Sequence, residues 1–167
     1  MLIETRRLII REFKINDLDE LFIVMSDPEV MRYSVSGPRS RKNTEEFIKA
    51  SIDAYQRHSL AQHAVVLKQS QSLIGCSGFF TPMVNNIQEI ELSYRLARNY
   101  WGQGLGTEAA QACCDYAFSD LLLKRLISII EPENTASIRV AEKVGLKFEQ
   151  KITFHELPVL IYAIEKK

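Results

Sequence analysis

The chain has 167 residues, about one domain at roughly 150 residues each, and is long enough to bury a core unaided. Its 21 Lys+Arg balance 21 Asp+Glu, which removes the electrostatic footprint of a general nucleic-acid or anionic-membrane binder. A hydrophobic share of 46% beside 25% charged residues excludes the disordered and fibrous classes.

Cys76, Cys113 and Cys114 cannot all pair, and the last two are adjacent, so a disulfide scaffold is excluded and a reducing cytoplasm is expected. Charges at Glu4, Arg6, Arg7 and Arg11 interrupt what would have to be an apolar signal core. With no apolar run approaching ~18 residues, neither export nor a membrane span is expected.

Residues 2 to 13 mix β-branched and charged positions and predict a first strand around Leu8, Ile9, Ile10 and Phe13. Asn16 is the expected N-cap of a helix with acidic Asp17, Asp19 and Glu20 in its first turn. Leu18, Leu21, Phe22 and Met25 form its apolar stripe, and Asp27-Pro28 ends it. Met31 to Arg41 is a Ser-, Gly- and Pro-bearing loop, and a second helix from Asn43 or Thr44 buries Phe47, Ile48, Ala54 and Tyr55. Ala64 to Lys68 and Leu73 to Phe80 form a hairpin, and Gln88 to Leu96 a third strand of that group. Helical spacing returns from Thr107 to Phe118, and a strand runs from Arg125 to Ile130. Asn134 caps a helix that Gly145 stops, and two β segments, Phe148 to Phe154 and Val159 to Ile164, close the chain. No repeat or linker interrupts this order, which describes an α/β or α+β domain with a partly parallel sheet.

Chemistry concentrates in Trp101-Gly102-Gln103-Gly104-Leu105-Gly106-Thr107, between a predicted strand and a predicted helix. Its glycines let the backbone turn sharply and approach a ligand, and the helix's first-turn amides favour an anion there. A purely conformational role for the glycines accounts for the same spacing. A phosphate-binding NTPase loop requires Gly-Lys-Ser/Thr, but no lysine lies between Lys68 and Lys124. A dinucleotide fingerprint counted from Gly102 fails at Thr107.

The stretch from Glu131 to Leu146, EPENTASIRVAEKVGL, completes a pattern. With the glycine loop, Glu4-Thr5-Arg6-Arg7-Leu8, Ser26 to Met31, Leu73-Ile74-Gly75 and Glu91-Leu92-Ser93-Tyr94, it resembles the GNAT superfamily of N-acetyltransferases. Within that superfamily it resembles the branch that acetylates ribosomal-protein N-termini, in the right order and over nearly the whole chain. The resemblance implies a single domain over residues 1–167, with a splayed mixed sheet of about seven strands flanked by about four helices. It further implies acetyl-coenzyme A in the cleft where strands part, with the amides of Gly102, Gln103, Gly104, Leu105, Gly106 and Thr107 cradling the pyrophosphate. The strand at Tyr94, Arg95 and Leu96 would pair with the pantetheine arm, and Asn134 and Ser137 would face the thioester. Trp101 stands where the superfamily often has Arg or Gln, which leaves pyrophosphate contact to backbone amides.

An alkyl amine arrives protonated, so direct transfer requires a base, and Glu91 stands where the family often keeps a Glu. Glu89 competes for that role. Many superfamily members protonate the thiolate with a Tyr seven residues after the Asn; that position is Ala141, and Ser137 is the substitute. Tyr33 and Ser34 would line the acceptor pocket, the acceptor being a protein N-terminus or a small amine. His58, His63 and His155 lack metal-ligand spacing, and no metal is expected. A non-catalytic module binding coenzyme A, or a nucleotide-binding protein, are the alternatives. The chain is expected to act as a monomer, or as a dimer through its C-terminal β segment at a sheet edge.

Overall fold

The computed structural model describes residues 1–57 and 60–166, so His58 lies outside the described residues. Among the described residues, ten strands and four α-helices follow in chain order: β1 (Leu2–Glu4), β2 (Leu8–Arg11), α1 (Leu18–Ser26), α2 (Arg41–Gln56), β3 (Gln62–Leu67), β4 (Leu73–Phe80), β5 (Met83–Val84), β6 (Ile87–Gln88), β7 (Glu91–Leu96), α3 (Leu105–Ser119), β8 (Arg125–Ile130), α4 (Thr135–Lys143), β9 (Lys147–Phe154) and β10 (Leu157–Glu165). Eight strands form one mixed sheet in the order β1-β2-β3-β4-β7-β8-β10-β9, and β5-β6 is a separate ribbon. No helix among the described residues is long and apolar enough to cross a membrane.

Strands β3 and β4 are buried almost throughout because helices cover both faces of the sheet. On one face, α3 presents the small buried residues Ala109, Ala110, Cys113, Cys114 and Ala117, which let its backbone sit close to the strands. Helix α4 adds Ala141 and the residue after it, Val144, to the same core. On the other face, Leu21 and Met25 of α1 and Ile48 of α2 pack on Ala64, Val66 and Cys76. Burial pushes the thiol pKa of Cys76 and Cys114 up to about 11 and that of Cys113 up to about 12.

Several boundaries differ from the sequence-based expectation. The first strand is two, since Thr5 N–H bonds the Leu8 carbonyl at 2.9 Å and folds β1 back antiparallel to β2. Asn16 does not cap α1: it lies within the 3-10 turn Ile15–Asp17, and the N-cap is Asp17, whose carboxylate holds Arg11 and the Lys14 amide. Ser40, rather than Asn43 or Thr44, caps α2 by accepting from the Asn43 amide at 3.1 Å. The buried face of α2 is Thr44, Ile48 and Ser51, with Phe47, Ala54 and Tyr55 half-buried at its flank.

The segment before β7 is spent on the β5-β6 ribbon. Helix α3 begins at Leu105, so Leu105, Gly106 and Thr107 form its first turn and not the loop before it. Of the two closing β segments, β9 forms the sheet edge, and the last strand, β10, inserts between β8 and β9. Helix α4 matches expectation, with Asn134 as N-cap and Gly145 beyond its end at φ +93°.

Candidate active site

Strands β7 and β8 are parallel but share one register pair, Glu91 with Ile127. The Ile127 amide donates to the Ile90 carbonyl at 2.9 Å, and Ser128 Oγ donates to the Leu92 carbonyl at 3.0 Å. Beyond Leu92 the two strands part, while the other edge of β7 stays paired to β4 as far as Leu96. The parting opens a cleft of about 1020 Å³ between β7 and β8, walled by the start of α3, by α4 and by the loop between α1 and α2.

The entrance to α3 is built to stay open. Gly104, in the left-handed region at φ +76°, occupies the N-cap position and has no side chain to offer the first-turn amides. Those amides have no partner within the helix. Gly106 is required for a different reason: a Cβ there would lie 2.9 Å from Tyr94 Cε2, so only glycine lets the Tyr94 ring close against the helix. The whole turn is anchored from behind. Glu108 accepts from Thr5 Oγ1 at 2.6 Å and from the Arg7 amide and Nε at 2.8 and 2.7 Å, and Arg7 Nη1 donates to the Gln103 carbonyl at 2.8 Å.

Of the residues predicted to hold the cofactor, Tyr94, Arg95, Leu96, Trp101, Gly102, Gly104, Leu105, Gly106, Thr107 and Asn134 line the cleft. Gln103 does not, because its side chain turns back to donate to the Asn99 carbonyl at 2.9 Å. Trp101 is half-exposed and donates Nε1–H to the Leu96 carbonyl at 2.7 Å, closing the turn between β7 and α3. Asn134 Oδ1 accepts from the Ser137 amide at 3.2 Å, so its oxygen serves the helix cap and leaves Ser137 Oγ on the cleft wall.

Glu91 lies at the apex where the strands part. Burial raises its pKa to about 7, against the opposing effects of Arg95 and the Ile129 amide. Glu89 is not equivalent. It precedes the strand, lies off the cleft, and shares Arg125 with Glu149 and Glu165 at 3.2, 2.8 and 3.1 Å. Burial also raises the pKa of Tyr94, with Ser137 acting in the opposite direction. Tyr33 and Ser34 line the opposite wall, and Tyr33 spans the cleft to donate to the Glu133 carbonyl at 3.4 Å.

Sequence reasoning missed Arg39, Ser128 and Tyr100, which also line the cleft. Arg39 had no local signal, because only the folding of the α1–α2 loop over β7 brings it there. His63 is buried against Tyr55, and His155 occupies the β9–β10 turn at the rim of the cleft.

This architecture has counterparts among known proteins. Residues 7–147 match the family described as the acetyltransferase (GNAT) domain. The Bacillus subtilis protein YkkB is 31% identical over 95% of this chain and 92% of its own length. Spermidine N(1)-acetyltransferase of Escherichia coli is 27% identical, covering 88% of this chain and 76% of the enzyme. A crystal structure of a GNAT-family acetyltransferase from Bacillus anthracis superposes with a TM-score of 0.85 at 29% identity, covering 99% and 98% of the two chains. A RimL ribosomal-protein acetyltransferase in complex with coenzyme A shares the fold at TM-score 0.84 and 19% identity, over 99% and 98%. The chain therefore belongs to the GNAT acetyltransferases. It is an N-acetyltransferase.

Proposed function

We propose that the cleft binds acetyl-coenzyme A and that the enzyme transfers the acetyl group directly to a primary amine, either a protein N-terminus or a small-molecule amine. The observation that carries this reading is the parting of β7 and β8 immediately after the Glu91–Ile127 pair. It leaves one edge of β7 without a strand partner, with an uncapped helix start at one end and a carboxyl at the other. The residues present fit the group: the β7 edge offers a hydrogen-bonding track for an amide-bearing arm, and the α3 amides suit a pyrophosphate. Acetyl-coenzyme A would supply the acyl group as an activated thioester.

Glu91, poised near neutrality, takes the proton of the arriving ammonium and holds the free amine toward the opening. Ser137 Oγ, on the cleft wall beside Tyr94, donates a hydrogen bond to the departing sulfur. Ala141 places no hydroxyl at the position one turn along α4, so the amine's second proton, lost as the tetrahedral intermediate collapses, passes to the thiolate through Ser137 or water. Positioning itself supplies much of the rate, since an amine and a thioester held in attack geometry react readily. The three unpaired cysteines fit a reducing, cytoplasmic setting.

Thermal stabilisation by acetyl-coenzyme A, with ATP and NAD in parallel, tests the binding assignment. A ligand that binds only the folded state at ~100 times its Kd adds about 2.7 kcal/mol. A selective shift with acetyl-coenzyme A is expected, whereas a shift with ATP or NAD alone would move the site to a different ligand class.

A further inference from the structure

One wall of the cleft carries two guanidinium groups that acetyl transfer does not use. Arg95 and Glu91 are an even number of residues apart on β7, so both side chains leave the strand on the face opposite Tyr94, which packs against Gly106 of α3. Helices α1 and α2 cover that face, and Cys76, the register partner of Arg95, belongs to their core. Arg39 enters from the loop between these helices. Its amide donates to the Met25 carbonyl at 2.8 Å, and its guanidinium lies 5.0 Å from the centroid of the Phe47 ring.

Neither guanidinium is held in an ion pair among the described residues, although Arg95 acts on Glu91 through space. Arg7, Arg11, Arg98 and Arg125 are each answered by a carboxylate within 3.2 Å. Among the described residues, Arg39 and Arg95 form no ion pair. Arg95 Nη2 donates to Ser34 Oγ at 3.3 Å, and Arg39 Nε is buried with no partner. Burial, with Arg95 adding to it, lowers the Arg39 pKa. Two neighbouring cations held partly out of water without a paired anion are costly, and an anionic ligand in the cleft would relieve that cost.

We propose that the amine acceptor also carries an anionic group, a carboxylate or a phosphate, which Arg39 and Arg95 grip together with Ser34 while Glu91 faces the amine. The proposal rests on the acetyl-transfer reading above. Guanidinium forks suit both oxyanions, and Arg95 retains a free backbone edge for the pantetheine track. Four residues along a strand set the Glu91 and Arg95 Cα atoms ~13 Å apart, so the acceptor holds its anion several bonds from its amine. A polyamine, cationic along its length, is repelled by the same two groups.

Matched acceptors in a coenzyme A release assay test this. Glucosamine 6-phosphate is compared with glucosamine, and seryl-aspartyl-aspartate with amidated seryl-asparaginyl-asparagine; spermidine is the polycationic arm. The anionic member of at least one pair is expected to show at least tenfold higher kcat/KM, and the pair that responds distinguishes phosphate from carboxylate. Arg39→Gln and Arg95→Gln are each expected to raise the acceptor KM at least tenfold, and Arg39→Gln, which lies off the β7 track, to do so with the KM for acetyl-coenzyme A unchanged. Equal use of both members of both pairs, or preference for spermidine, overturns the proposal.

Calorimetry on protein saturated with coenzyme A needs no turnover. There the anionic probes should bind the native chain and lose at least tenfold in affinity in the Arg39→Gln/Arg95→Gln variant; absent binding or unchanged affinity overturns the proposal. If coenzyme A itself fails to bind, the acetyl-transfer reading fails separately, and the same titration on the free chain still decides the anion site.

Discussion

Arg7 and Glu108, 101 residues apart in the chain, are joined by a backbone N–H and a guanidinium Nε–H donated to the two carboxylate oxygens. The pairing ties the turn between β1 and β2 to the first turn of α3, and through Arg7 Nη1 to the Gln103 carbonyl of the glycine loop. Burial disfavours the Glu108 charge, but the bonds from Thr5 and Arg7 outweigh it and lower its pKa. Its stabilising contribution is therefore present above the usual glutamate range and is lost as pH falls. Glu108→Ala is expected to cost about 1–3 kcal/mol in urea unfolding at pH 7. It should also raise the KM for acetyl-coenzyme A with little change in kcat; an unaltered KM would detach this clamp from the ligand loop.

Glu91, with a pKa of about 7, must lose its proton to act as a base. The rate kcat/KM should rise with pH to a plateau above 7, and Glu91→Gln should lose at least ~10²-fold in kcat and that titration. Glu89→Gln should leave turnover near native, because its carboxylate is committed to Arg125. The linkage to stability has the opposite sign to that of Glu108. The folded chain holds the Glu91 proton more tightly than the unfolded chain, so stability declines as pH rises from about 4.5 to 7. Glu91→Gln should therefore stabilise the protein at pH 8, by about 1–3 kcal/mol, and not at pH 4.

Two glycines offer a contrast. Gly106→Ala gains helix propensity worth about 1 kcal/mol but displaces the Tyr94 ring, 2.9 Å from the new methyl. Stability should change little while acetyl-coenzyme A affinity falls at least tenfold. Gly75→Ala places its methyl 2.0 Å from the Arg95 carbonyl oxygen, against backbone that cannot yield without separating β4 from β7. That variant should lose about 3 kcal/mol or fail to accumulate. Thermal melts with and without ligand separate the two cases.

His63 is buried beside Tyr55, and burial, aided by the N-terminal ammonium, lowers its pKa to about 4. It is neutral in the folded protein at pH 5, where the unfolded chain takes up a proton. Stability should therefore fall as pH drops from about 6.5 to 4. His63→Gln should flatten that limb; urea midpoints at pH 7 and 4.5 provide the measurement, and parallel loss in both proteins would assign the acid limb elsewhere.

Elements governed by local chemistry were legible in the sequence. Leu73–Phe80, Arg125–Ile130 and the Asn134-to-Gly145 helix carry their own periodicity, cap and stop, and each appears at or within two residues of its expected bounds. The turn at Thr5–Arg7 was not legible, since it contains neither Gly nor Pro. Distant groups hold it: Lys68 Nζ donates to the Thr5 carbonyl at 2.7 Å, and Glu108 holds Thr5 and Arg7. The same limit applied to the cleft. The glycine loop could be located from spacing, but the distinction between Glu89 and Glu91 depends on Arg125, 36 residues beyond Glu89, and Arg39 meets Arg95 only through tertiary folding.

The three cysteines lie in the core with thiols raised to about 11 or 12, so at neutral pH they are almost wholly protonated and shielded from solvent. A disulfide reagent that colours on meeting a free thiolate will thus encounter a nearly silent protein. Coenzyme A set free by the proposed transfer would be counted continuously against that background, and a single cysteine introduced at the cleft rim would be the one position to accept a label.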